Sequence, residues 1–195
     1  MMTSSGGALY EFPFDTLEDY RRARNRASKS VTGRELWEII IGCSSGFNYL
    51  QSRNIQHNGV RSSNIYIDNT GRIKIADPEV KALDSNYDMF DKQIPGVYLS
   101  PNQLLSLKGG EKIPHHNCYK SDVFAMGLML LELANLETQD DIYSCSKFLL
   151  KEQVLKRRLT DFSKHYGSEL GSVLSMLTVE DEFKRCDWIE LQNYL

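Results

Sequence analysis

His57-Asn58-Gly59-Val60-Arg61-Ser62-Ser63-Asn64, followed directly by Ile65-Tyr66-Ile67, is the stretch that decides the fold. Polar and glycine-bearing residues lead into a short alternating run. A second such run, Ile73-Lys74-Ile75-Ala76-Asp77, comes soon after. Between them Asp68-Asn69-Thr70-Gly71 offers the residue types that tolerate turn and left-handed backbone. The residues alone therefore predict a β-hairpin with a polar loop at each mouth and Asp77 at its exit.

The rest of the composition is that of an ordinary globular chain. With 195 residues it can bury roughly two thirds of its unfolded surface, and residues 1–195 are expected to form a single domain. The 41% hydrophobic and 25% charged shares fit that class. A net charge of -3 gives no electrostatic reason to expect nucleic acid or an anionic membrane as partner. Cys43, Cys118, Cys145 and Cys186 lack a C-x-x-C pair and read as reduced thiols. The first residues, Met1 to Gly7, show neither the basic nor the apolar region of a secretory signal, and no apolar run is long enough to cross a bilayer. The expected location is intracellular: cytoplasmic, or within a large cytoplasmic, cytoskeletal or organellar assembly.

Outward from the hairpin, Ala8 to Phe12 is β-prone and stopped by Pro13. Asp15-Thr16-Leu17-Glu18 has capping-box spacing. Arg21, Arg22, Arg24, Arg26 and Lys29 read as a solvated helix face and loop in preference to a phosphate-binding patch. Thr32-Gly33-Arg34-Glu35 is a second capping box. It opens a helix whose stripe is Leu36, Ile40, Phe47 and Leu50, widened by Trp37 and Ile41, and which ends near Arg53-Asn54. Between Pro78 and Pro101 periodicity is lost, predicting a long loop. Leu104 to Leu107 reads as a short helix ended by Gly109-Gly110. His115-His116-Asn117-Cys118 reads as a polar loop in preference to a zinc site, since no second ligand pair accompanies it. From Ser121 to Asn135 the sequence is apolar nearly all round, as in a helix at the centre of a domain. Thr138 to Asp141 reads as an exposed loop, Ile142 to Leu159 as helix, and Leu170, Val173, Leu174 and Leu177 as a helical stripe. Glu180 to Arg185 reads as a charged connector and Asp187 to Leu195 as a terminal helix.

This order of motifs resembles the carboxy-terminal lobe of a protein kinase. His57 and Asn64 hold their places in the catalytic-loop pattern H-R-D-L-x-x-x-N, and Asp77 that of D-F-G. Tyr10-Glu11-Phe12 is similar to the end of the hinge strand, which makes residues 1–12 a remnant of it. Ser100-Pro101-Asn102 is similar to A-P-E. Lys120-Ser121-Asp122-Val123-Phe124-Ala125-Met126-Gly127 resembles the opening of the buried central helix, and Lys184-Arg185 the late K-R-P segment. The resemblance implies a mainly α (α+β) fold: a kinase-like C-lobe helical bundle with a small β-hairpin at the catalytic-loop position and no complete N-lobe. A different all-helical fold with accidental matches is the alternative.

Against that pattern the chemistry is degraded. Kinases work by positioning and electrostatics, with an Asp receiving the substrate hydroxyl's proton. Gly59 stands at that position, and loss of a general base costs about 10²–10⁴-fold. Arg61 stands where the catalytic-loop lysine would be. Asn64 and Asp77 match the two metal-binding positions, which leaves room for weak magnesium or ATP binding, but no cofactor is expected because nothing before Ala8 could supply the Gly-rich phosphate cradle. Pro78 and Glu79 replace the Phe and Gly of D-F-G, arguing against a mobile activation switch. Asn58 replaces the Arg that receives a phosphorylated loop, so Ser85 or Tyr87 would lack a receptor charge if modified. Asn102 replaces the glutamate expected to pair with Arg185. The scaffold positions His57, Asp122, Gly127 and Arg185 are kept, and the resemblance implies that Asp122 accepts backbone hydrogen bonds from the loop.

The expectation is a catalytically inactive, pseudokinase-like protein that binds other proteins or serves as a structural subunit of a larger complex. Its partners, other protein subunits, would cover the face a kinase N-lobe occupies, where Ile65, Ile67 and Ile75 would form an apolar patch. No nucleic acid and no membrane insertion are expected. The alternative is a nucleotide-binding protein or kinase whose N-lobe is absent from this chain.

Overall fold

The computed structural model describes residues 15–76, 82–110 and 116–195, with 82–85 as backbone only. The expectations for Tyr10 to Phe12, Asp77 to Glu79, His115 and the Ser85 side chain lie outside the described residues.

Strand β1 (Asp15–Thr16) runs straight into helix α1 (Leu17–Arg26). Thr16 caps that helix, with Asp19 closing the capping box. The box therefore starts one residue later than the Asp15–Glu18 spacing predicts. The reason is that Asp15 and Thr16 are already paired, antiparallel, with Ile67 and Tyr66, so helical backbone can begin only at Leu17.

Helix α2 (Gly33–Gln51) starts at Thr32 with the expected capping box through Glu35. Its buried stripe is Leu36, Ile39, Ile40, Cys43, Ser44 and Phe47. Ile41 is 53% exposed. It lies off the stripe by helical phase, and Ile39 and Cys43 widen the stripe on the other side. Asn54 takes the left-handed conformation (φ 57) just past the helix, and Ile55 N–H returns to Leu50 O.

Strands β2 (Ile65–Ile67) and β3 (Ile73–Ile75) form the hairpin, with Ile65 opposite Ile75 and Ile67 opposite Ile73. With β1 they make a three-stranded sheet. At the turn Asp68 accepts from the Thr70 and Arg72 N–H groups and from the Arg72 side chain. These bonds, led by the Thr70 hydroxyl, hold its carboxyl well below the usual range. The hairpin lies on α2 where two glycines let it approach. A Cβ at Gly42 would fall 2.7 Å from Ile73 Cγ1, and one at Gly46 2.5 Å from Ile75 Cδ1.

The segment 78–101 is not a continuous loop. Helix α3 (Ala82–Asp91) lies within it and buries Tyr87 and Phe90, two aromatics one turn apart. Val97, Tyr98 and Leu99 then run through the interior as extended chain. Helix α4 (Pro101–Gly109) is capped by Ser100, carries Pro at its first position and stops at left-handed Gly110.

Helix α5 (Cys118–Asn135) is the axis of the domain: every residue from Ser121 to Leu133 is buried. Each fully buried aliphatic or aromatic side chain there contributes roughly 1.5–3 kcal/mol. Thr138–Asp141 departs from the exposed loop expected, because Gln139 is fully buried and its N–H donates to the Tyr98 hydroxyl. The expected helix from Ile142 is also corrected. Strands β4 (Tyr143–Ser144) and β5 (Leu149–Leu150) form a two-stranded hairpin, and helix α6 (Glu152–Tyr166) begins only after it. Tyr143 explains the break: its hydroxyl receives Leu99 N–H and donates to Leu99 O, which holds that segment extended against the core. Helices α7 (Ser168–Leu177) and α8 (Trp188–Tyr194) complete the bundle. Trp188 stacks on Phe47 with centroids 4.5 Å apart. The architecture is mainly helical with small antiparallel sheets, as the kinase-lobe resemblance implies. Among the described residues no helix is long and apolar enough to cross a membrane.

Candidate functional site

The loop 57–64 is held by its own backbone and by the two helices beneath it. His57 is buried against the edge of the Phe47 ring, centroids 5.3 Å apart. Gly59 N–H donates to His57 Nδ1 at 3.2 Å, and His57 Nε2 lies 3.1 Å from Ala76 O. An amide donor at one ring nitrogen and a carbonyl at the other define the neutral imidazole with its proton on Nε2. His57 thus ties the start of the loop to the end of β3.

Asp122, from the first turns of α5, accepts Asn58 N–H at 3.1 Å. Burial raises its carboxyl to about 7, against the lowering pull of the Asn58 and His57 backbone. Asn58 has positive φ (58), a conformation that asparagine tolerates better than most residues. Its carbonyl is thereby free to accept from Asn86 Nδ2 of α3 at 2.6 Å. Asn64 Nδ2 donates to Gly59 O at 2.9 Å, which closes the loop on itself.

No carboxylate stands in 57–64. Gly59 contributes only its N–H and C=O, and both are engaged. Arg61 directs Nη1 to the Met89 thioether at 2.8 Å, while its Nε is buried without a partner. Among the described residues the loop offers magnesium only neutral side-chain oxygens: the amide oxygens of Asn58 and Asn64 and the hydroxyls of Ser62 and Ser63. Magnesium is held by carboxylates and substrate phosphates in near-octahedral geometry, so this set alone does not fit it. Among the described residues, too, no three His, Cys, Asp or Glu side chains gather as a metal site. His116 instead places Nδ1 2.8 Å from the Ser121 hydroxyl, which in turn meets that of Ser100.

The other singled-out residues are structural in their contacts. Gly127 faces the end of α7, where an added Cβ would come within 2.5 Å of Thr178 Cγ2. Arg185 is fully buried over the Phe124 ring and donates to the carbonyls of Val179, Lys120 and Glu180. Three carbonyls stand in for the missing carboxylate, and among the described residues no bond joins Arg185 to Asn102. Burial lowers its pKa to about 10. Ile65, Ile67 and Ile75 do not form the exposed patch expected of them. Ile65 is fully buried, Ile75 closes on Gly46, and Ile67 packs partly buried against the core. The chain's own α2 covers this side of the hairpin.

One polar centre was not anticipated. Glu132, a lone acid inside the apolar run of α5, is 1% exposed. It accepts from the Ser62 hydroxyl at 3.0 Å and from the Tyr98 hydroxyl at 3.1 Å. Arg21 Nε approaches it at 2.9 Å, a charge contact off the hydrogen-bond direction, while Arg21 Nη1 donates to Leu136 O. Arg21 is therefore buried in an ion pair and not part of a solvated face. Burial raises the Glu132 carboxyl above its ordinary range against the pull of these partners. The network joins α1, the 57–64 loop, the 97–99 segment and α5. The signal in the sequence was the acid itself, set among Leu131 and Leu133.

Comparison with known proteins agrees with this geometry. A family model for protein tyrosine and serine/threonine kinase matches residues 6–195. Serine/threonine-protein kinase Nek4 of Mus musculus is 23% identical over 80% of this chain and 19% of its own length. Serine/threonine-protein kinase Nek1 of Mus musculus is 28% identical over 73% of this chain and 11% of its own. MAP kinase kinase skh1/pek1 of Schizosaccharomyces pombe is 30% identical over 59% of this chain and 29% of its own. The chain spans about a fifth of the length of the first of these relatives. With a helical bundle, a hairpin-bearing loop pinned by Asp122 and a family match over nearly its whole length, the chain belongs to the protein tyrosine and serine/threonine kinase family.

Proposed function

We propose that this chain is a catalytically inactive kinase-fold module that acts as a protein-binding or structural subunit of a larger complex. The observation that carries the reading is Gly59. In a kinase, an Asp at this position receives the proton of the attacking hydroxyl. Here the position has no side chain, and its backbone groups are spent on His57 and Asn64. Among the described residues no nearby carboxylate substitutes: Asp122 is buried beneath the loop and Glu132 is closed in by Arg21, Ser62 and Tyr98. What remains is a well-packed scaffold, the kind of surface that a partner protein can use without any reaction.

The test is phosphoryl transfer by the purified natural protein to a generic acceptor, beside Gly59→Asp. The wild type is expected to show no transfer above background; turnover that requires magnesium and is abolished by Asn64→Ala would refute inactivity. Size analysis of the native protein then checks the partner half of the reading. A large stable assembly supports it, and a free 22.4 kDa species contradicts it.

A second reading, a nucleotide-binding protein or kinase whose N-lobe is not in this chain, draws support from the relatives, all named as kinases, and from Asn64 at a metal-binding position of the motif. Gly59 weighs against an active form under either reading.

A further inference from the structure

Two exposed surfaces at one end of the domain are opposite in charge, and each is centred on apolar side chains. The first is the 180–185 connector. Phe183 at its tip is 93% exposed, the most exposed large apolar side chain among the described residues. The backbone beneath it is tied down throughout. Arg185 donates to the carbonyls of Val179 and Glu180, the Lys184 and Arg185 amides to that of Asp181, and Lys120 Nζ to those of Glu182 and Phe183. Every carbonyl from Val179 to Phe183 is thus engaged, and Phe183 N–H donates to the Asp181 carboxylate at 3.0 Å. A lone exposed apolar side chain is ordinary. One presented on a loop already fixed has lost in advance the backbone freedom that binding would otherwise cost. Residues 180–190 hold five carboxylates and two cations, and Lys120 adds a third cation, so the surroundings are net acidic. Burial and the neighbouring Glu152 raise the Glu180 carboxyl, consistent with a negative local field.

The second surface is made by α4 and the segment 145–151. Helix α4 packs against β5, and each carries an exposed leucine, Leu105 at 60% and Leu149 at 43%. Lys108 follows Leu105 by one helical turn, on the same face, and Lys147 and Lys151 flank Leu149. Neither 101–110 nor 145–151 contains a carboxylate. Among the described residues the ion pairs of this region, Lys156–Glu152 and Arg158–Asp141, leave all three lysines out, and Lys151 reaches only the Asp141 carbonyl. The surface is therefore apolar and cationic with its charge unneutralised, the complement of the Phe183 loop. Both surfaces hang from the first turn of α5. Ser100, the cap of α4, meets the Ser121 hydroxyl at 2.9 Å, and Arg185 Nη1 donates to Lys120 O at 3.1 Å. Two complementary surfaces at one end of a molecule suit a two-fold pairing, in which each copy gives and receives the same contact and the assembly closes.

We propose that the occupant is a second copy of this chain: in a two-fold dimer Phe183 of each copy seats on the Leu105–Leu149 surface of the other, with the acidic 180–190 region facing Lys108, Lys147 and Lys151. The proposal rests on the protein-binding reading of the module and names one partner for it. The two fail separately. A pure chain that stays monomeric refutes self-association, whereas the binding of other subunits is decided by the size of the native assembly.

The test is sedimentation of the purified full chain from about 5 to about 500 µM, at about 50 mM and about 500 mM salt. At low salt the mass is expected to rise with concentration from 22.4 kDa and to level off at twice that value. Because the facing charges are solvent-exposed, high salt should weaken the association several-fold. Phe183→Ser and Leu105→Ser alter exposed side chains and should leave the thermal midpoint in place. Each should raise the dissociation constant by about thirtyfold or more. An equimolar mixture of the two variants should dimerise better than either alone, since Phe183 of one chain still finds the intact Leu105 surface of the other. A monomer at every concentration, an association indifferent to salt or to Phe183→Ser, growth beyond the dimer, or no gain on mixing would each overturn the proposal.

Discussion

Asp122 is a buried carboxylate whose role can be read from the pH dependence of stability. Burial raises its folded-state pKa to about 7, whereas an unfolded Asp titrates at about 3.9. Between these values the folded protein holds a proton that the unfolded chain has released. Stability therefore falls as pH rises through this window. The slope approaches ~1.4 kcal/mol per pH unit, and the whole effect is on the order of 4 kcal/mol between about pH 4 and about pH 7. Asp122→Asn removes the titration and keeps an oxygen that can accept Asn58 N–H. Urea unfolding of both proteins at steps from about pH 4.5 to about pH 7.5 isolates the effect. Groups with lowered values, such as Glu35, whose burial is outweighed by the bonds from Thr32 and Tyr20 together with the charge of Arg24, contribute equally to both and cancel in the difference. The advantage of wild type over Asp122→Asn is expected to shrink steadily as pH rises. A difference that stays flat across the range would refute the idea that Asp122 pays a burial cost to hold the loop.

Three further outcomes are expected from urea denaturation. Glu132→Ala strands the buried Arg21 guanidinium and should cost about 3–5 kcal/mol, while Arg21→Met/Glu132→Ala should recover much of it; a loss below about 1 kcal/mol in the single variant contradicts the network. Gly127→Ala, whose Cβ would sit 2.5 Å from Thr178 Cγ2 and 3.2 Å from Leu177 Cβ, should destabilise by about 1–3 kcal/mol through overpacking, and a neutral result would mean α5 and α7 can part cheaply. Tyr143→Phe leaves both buried backbone groups of Leu99 unsatisfied and should cost about 1–3 kcal/mol, whereas an unchanged midpoint contradicts the clamp.

The parts of the fold that were legible were those governed by local chemistry. The Thr32 capping box, the Asp68–Gly71 turn between two alternating runs and the apolar run through α5 each state their own structure. What was hidden depended on distant partners. Asp15 and Thr16 became a strand only because β2 offered an edge, and that edge moved the first helix cap by a residue. Tyr143 broke an expected helix through two bonds to Leu99, 44 positions away in the chain. Helix α3 shows only two periodic aromatics in its sequence, too little for a pattern to register. The apolar patch expected at Ile65, Ile67 and Ile75 was misjudged for the same reason: Gly42 and Gly46 signal close approach only once their hairpin partner is known. At the site, the absence of a carboxylate from 57–64 is plain in the sequence, whereas the Arg21–Glu132 pair was not, since nothing in a basic cluster shows which of its members turns inward.

The most direct test of the central claim is binding of ATP with magnesium to the purified natural protein, followed by thermal unfolding. If Gly59 stands in place of the base, as proposed, and the described part of the site offers no carboxylate beside the neutral amides of Asn58 and Asn64, no magnesium-dependent shift is expected at millimolar nucleotide. A ligand present at a hundredfold excess over its Kd adds about 2.7 kcal/mol, which for a domain of this size raises the midpoint by roughly 5–10 °C. A shift of that size, lost on Asn64→Ala, would contradict the account.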